Sequence, residues 1–72
     1  MIKPGIYKHY KGNRYKVHFT ALHSESKEQM VVYECLYNNP LGQFWVRPSA
    51  MFSETVEINN VKQARFEFIG DE

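Results

Sequence analysis

The chain is 72 residues long, 43% hydrophobic and 15% aromatic, with nine basic and eight acidic residues. At that length it makes one domain, 1–72, and buries only about 60% of its unfolded surface, which leaves no room for a multi-part catalytic cleft, while its aromatic content excludes disorder. The lone Cys35 excludes an internal disulfide, and no basic-then-apolar leader or apolar run near the ~18 residues that span a bilayer is present, so a cytoplasmic protein without membrane contact is expected.

Charge is unevenly spread. Lys3, Lys8, Lys11, Arg14 and Lys16 precede any acidic residue, whereas residues 25–72 hold four basic and eight acidic side chains. The basic part reads as a hairpin about Gly12-Asn13, a pair suited to a two-residue turn because glycine tolerates positive φ. That turn would pair Tyr10 with Tyr15, Lys8 with Val17 and Ile6 with Phe19. Alternation then gathers Ile6, Tyr10, Tyr15, Val17 and Phe19 on a core face with Lys8 at its rim. Tyr7, His9, Lys11, Arg14, Lys16 and His18 form a basic ribbon on the other face.

Residues 23–37, HSESKEQMVVYECLY, fit two conformations. Ser26 and Gln29 have the spacing of a helix capping box, and Met30, Tyr33 and Tyr37 fall at helical intervals. Against a helix, Val31, Val32 and Tyr33 make a β-favouring centre, and the apolar run stops at strand length before the Asn-Asn-Pro-Leu-Gly turn at 38–42. A loop over 23–29 followed by a strand is therefore predicted.

Farther on, 44–47 reads as a strand, and Pro48 presets one helical or 3₁₀ turn through Met51 and Phe52. Residues 54–58 and 61–69 then form a hairpin about Asn59-Asn60, in a register that sets Glu57 opposite Lys62 and Glu54 opposite Arg65. Five to six short strands with one helical turn predict an all-β fold, a small SH3-like barrel, since closing the sheet removes exposed edges. Trp45, Met51 and Phe52 are expected in or beside its core.

The segments GIYKHYKGNRY, HSE, VVYECLY, WVRPSAMF and RF together resemble the short, mostly bacterial proteins grouped as domain of unknown function 1653. The likeness runs over 5–66 and takes in Tyr7, His9, His23, Glu25, Trp45, Arg47, Phe52, Arg65 and Phe66. The NNPLGQF stretch before Trp45 is longer than the family's pattern. The resemblance implies a compact stand-alone domain and carries no activity with it.

His23, Ser24 and Glu25 hold the residue types of a hydrolase triad, but consecutive residues rarely set nucleophile, base and acid in one line. The same residues also suit a turn built by side-chain to backbone bonds, or polar contacts to a ligand. Trp45 and Arg47 share one strand face and combine an aromatic plate with a planar five-donor fork. That pair fits a phosphate, a carboxylate or a base; alternatively Trp45 is core and Arg47 pairs with Glu25 or Glu67. His9, His18 and Cys35 lack the spacing of a metal set, and neither metal nor cofactor is expected. Lys11, Arg14 and Lys16 offer contacts to nucleic acid, although the pI of about 7.9 falls below the value above 9 typical of dedicated binders.

These observations predict a non-catalytic binding module, monomeric or weakly dimeric, that recognises an anionic small ligand, a nucleic-acid segment or a peptide. Its face would include Tyr7, His9, His23, Glu25, Trp45 and Arg47, with His23, Glu25, Trp45 and Arg47 converging on one side. The alternatives are a small hydrolase centred on His23 and Glu25 and a structural homo-oligomer.

Overall fold

The computed structural model describes residues 2–71. In chain order it contains β1 (Gly5–His9), β2 (Arg14–Leu22), β3 (Gln29–Cys35), β4 (Phe44–Pro48), α1 (Ser49–Phe52), β5 (Thr55–Ile58), β6 (Val61–Ala64) and β7 (Phe66–Gly70). The fold is all-β, as the alternation predicts. A five-stranded antiparallel sheet has the order β4-β3-β2-β1-β7, and β5 and β6 form a separate hairpin. The single run expected over 61–69 is split at Arg65, where the chain leaves β6 and enters the main sheet as β7. β3 is a strand because Val31, Tyr33 and Cys35 alternate into the core while Val32 and Glu34 point away. The Ser26 hydroxyl that would have capped a helix instead accepts the Glu28 amide at 3.2 Å within the preceding loop.

The first hairpin departs from the expected register. Its loop has three residues, Tyr10, Lys11 and Gly12. The His9 carbonyl accepts the Gly12 amide at 2.7 Å, and the His9 amide donates to the Asn13 carbonyl at 2.8 Å. Gly12 closes the loop at φ +113°, the left-handed position that a short hairpin loop assigns to glycine. The resulting pairs are Gly5–Val17, Ile6–Lys16, Tyr7–Tyr15 and Lys8–Arg14. An odd change of register turns β1 over. Tyr7, expected on the basic ribbon, is core, and His9 comes with it to the inner side. Ile6 and Lys8 occupy the outer face, and Tyr10 belongs to the loop. Phe19 is 57% exposed rather than core, because a bulge between Val17 and Phe19 shifts the alternation by one residue.

The buried cluster of Tyr7, Val17, Val31, Tyr33, Phe52 and Phe66 lies on the inner face of this sheet. Phe52 follows β4 and Phe66 belongs to β7, the two outermost strands, yet their rings stack with centroids 4.1 Å apart and planes 4° from parallel. In a flat sheet of five strands those edges would stand about 19 Å apart. The sheet is therefore rolled until its edges meet. They meet through side chains: the hydrogen-bonded order ends at β4 and β7, so the expected closed barrel is instead an open roll with a seam. β4 has only five residues and ends at Pro48, which has no N–H for a further ladder bond. The chain then turns into α1 and places Phe52 in the gap.

Candidate functional site

The seam is where charged side chains enter the inner face. β4 pairs with β3 so that Trp45 stands opposite Tyr33 and Arg47 opposite Val31, both buried. Alternation therefore turns Trp45 and Arg47 inward, with Val46 58% exposed on the outside. Trp45 remains 36% exposed, and its Nε1–H donates to the Gly42 carbonyl at 3.0 Å, which fixes the plane of the ring. The Arg47 Cζ lies 5.5 Å from the centroid of the Phe66 ring. Among the described residues no hydrogen bond or ion pair holds this half-buried guanidinium, and its Nε is buried without a partner.

His9 reaches the seam from β1. Its ring centroid lies 4.9 Å from that of Phe66 and 4.5 Å from that of Tyr10. Nδ1 accepts the Lys11 amide at 3.2 Å, so the neutral ring carries its proton on Nε2, where it can donate. Burial, followed by the charges of Arg65, Arg47 and Lys11, lowers the His9 pKa from its ordinary 6.5. Three cations around one imidazole make this corner electropositive, and the imidazole stays uncharged at neutral pH. Arg65 is the residue that the sequence reading leaves out of the site. Its Nη2 lies 3.1 Å from Glu54 Oε1, the pairing the hairpin register predicts, while its own Nε is buried without a partner among the described residues. No local sequence signal marks it; the order β4-β3-β2-β1-β7 and the roll of the sheet bring it there.

His23 and Glu25 lie elsewhere. They belong to the β2–β3 loop, where His23 Nδ1 accepts the amides of Glu25 at 3.1 Å and of Ser26 at 3.3 Å. The His23 amide donates to the Glu28 carbonyl at 2.8 Å. Arg47 sits level with Val31 and Thr20, and His23 follows Thr20 by three residues, about 10 Å farther along the strand direction. The ring of His23 thus builds the turn. An Nδ1 that accepts leaves the proton on Nε2, the nitrogen that a triad histidine must keep free to act as base.

The basic ribbon is interrupted by acids. Lys8 stands opposite Glu67, Lys16 stands opposite Glu34, and His18 Nε2 lies 2.8 Å from Glu34 Oε1. Lys11 and Arg14 are exposed at the hairpin end; Lys11 lies near His9, whereas Arg14 stands opposite Lys8 on the outer face. A cleft of about 460 Å³, lined by Lys8, His9, Tyr10, Gln63, Ala64 and Glu67, opens where β6 turns into β7. Of the seam residues it includes His9, and Lys8 and Glu67 in its lining are register partners on the neighbouring strands β1 and β7. No helix among the described residues is long and apolar enough to cross a membrane.

The family model described as a protein of unknown function, DUF1653, matches residues 5–68. A crystal structure of a DUF1653 protein from Bordetella bronchiseptica superposes with a TM-score of 0.93 at 34% identity, covering 99% of this chain and 91% of the other. None of the curated proteins compared matches the chain. With its family motifs spread across both sides of the seam, the chain belongs to the DUF1653 family.

Proposed function

We propose that the protein is a non-catalytic binding module, built on an SH3-like roll, whose seam receives an anionic group. The observation that carries this reading is Arg47: a half-buried guanidinium resting on an aromatic ring, with no carboxylate beside it among the described residues. Buried or half-buried charges are ordinarily paired, because desolvation is otherwise uncompensated. A ligand anion would supply the missing partner through the two Nη groups of the guanidinium fork. His9 Nε2–H adds a neutral donor, Arg65 a second cation, and Trp45 an exposed apolar plate. Tyr7 packs in the core against Phe52, ring centroids 5.2 Å apart, and its hydroxyl donates to the Lys3 carbonyl at 2.8 Å. His23 and Glu25 stand outside it. A hydrolase centred on them loses support, because the His23 Nδ1 is occupied by backbone amides.

The test is a thermal-shift screen of wild type and Arg47→Met against inorganic phosphate, pyrophosphate, mononucleotides, acidic peptides and short oligonucleotides. The expected result is a ligand that raises the melting temperature of the wild type and not of the variant. Equal shifts in both proteins, or none in either, would count against the seam.

A further inference from the structure

We infer that the anion received at the seam is the backbone phosphate of a single-stranded nucleic acid whose bases stack on Trp45 and Tyr37. The inference rests on the anion-binding reading above and adds the ligand's class. Exposed aromatic rings are the distinguishing observation. Trp45 stands opposite Tyr33, Tyr33 lies 5.4 Å from Tyr15 between ring centroids, and Tyr15 lies 5.7 Å from Tyr37. The inner two rings are buried or half-buried, and the outer two, Trp45 and Tyr37, are each 36% exposed. Both outer rings are held in place, Trp45 by its bond to Gly42 and Tyr37 by a hydroxyl contact of 3.2 Å to Tyr15. Rigid, exposed π-faces are what sequence-tolerant base stacking requires.

Charge agrees with this class. Trp45 and Arg47 are two residues apart on one strand face, about 7 Å, so a base on the ring and its phosphate on the guanidinium are within reach of one nucleotide. Lys11, exposed at the hairpin tip beside His9, adds a further cation at this end. Among the described residues, the carboxylate paired with a seam cation is that of Glu54, held by Arg65. An acidic peptide would satisfy the cations but leave the two exposed rings without a role. The chain's pI of about 7.9 points to a short contact of a few phosphates rather than a long basic track.

Trp45 is the chain's single tryptophan, so its fluorescence reports the stacking directly. Octamers of uridine and of deoxythymidine are titrated into the full chain, with octaglutamate and pyrophosphate as comparison probes, reading tryptophan quenching and the anisotropy of labelled octamers. The expected result is quenching by the octamers, with affinity falling roughly 20-fold between about 50 and 200 mM salt if about three phosphates are engaged. Arg47→Met and Tyr37→Leu should each weaken anisotropy-detected binding roughly tenfold while circular dichroism shows both folded. If pyrophosphate or octaglutamate binds through Arg47 and the octamers do not, the nucleic-acid inference falls and the anion site stands. Octamer binding unchanged in folded Arg47→Met would place nucleic acid elsewhere and overturn the inference. Absence of binding by every probe would overturn both readings.

Discussion

At Gly5 the backbone has a φ of +141°, and a Cβ built there would stand 2.6 Å from Phe68 Cε1 and 2.7 Å from the Gly70 carbonyl oxygen. The second contact is with backbone, which cannot rotate away. Gly5→Ala is therefore expected to cost about 2–4 kcal/mol in urea unfolding, from strain and overpacking together. Gly12→Ala meets open space and should cost only the left-handed conformation, about 1–2 kcal/mol. Phe52 is 2% exposed and stacks on Phe66, so Phe52→Ala should cost about 3–5 kcal/mol; a loss below about 1 kcal/mol would show that the seam is not packed as described. Met51, beside it, is 43% exposed and only borders the core. His9 makes a signed prediction. Its pKa is lowered in the fold, so the unfolded chain binds its proton first as pH falls. The stability that depends on a neutral His9 is complete above about 6.5 and declines as pH drops from there through the folded-state pKa. Unfolding curves for His9→Gln should be flatter across that interval than those of the wild type, and equal slopes would refute the assignment.

Strands and turns were legible wherever one physical signal dominated. β3 was readable because β-branched residues and a short run outweighed the capping spacing, and the β5–β6 hairpin because Glu57–Lys62 and Glu54–Arg65 fix its register. Asn59 and Asn60 adopt φ of 52° and 67°, the conformation of a tight hairpin turn in which glycine is favoured second. Asn60→Gly should gain about 0.5 kcal/mol, and Asn60→Ala should lose about 1 kcal/mol. The first hairpin differs from the expected register because Gly-Asn serves a two-residue turn and a three-residue loop equally well, and local sequence does not distinguish them. That one choice decided which face His9 and Tyr7 occupy. The bulge at His18 was equally hidden: no glycine or proline marks it, and only the exposure of Phe19 betrays it.

The roll of the whole sheet is a long-range outcome and sets the candidate site. Nothing in 44–48 or 65–66 taken alone says that Arg47 will lie on Phe66; the contact exists because five strands curl until their edges face each other. Trp45 and Arg47 could be placed together from alternation on one strand. Arg65 could not be joined to them, nor His23 and Glu25 removed, without the topology. On the proposed reading, Arg47, without an ion-pair partner among the described residues, stands in the seam for a ligand and not for stability. A cation over an aromatic ring contributes about 0.5–1 kcal/mol at an exposed site, whereas removing an unpaired guanidinium from a half-buried position regains its desolvation cost. Methionine preserves the apolar contact with Phe66 and discards the charge. The most direct measurement is urea unfolding of Arg47→Met against the wild type without added ligand. A variant as stable as the wild type to within about 0.5 kcal/mol, or more stable, is expected; a loss above about 1 kcal/mol, the size of a structural ion pair or hydrogen bond to a charged group, would contradict a ligand-binding role for Arg47.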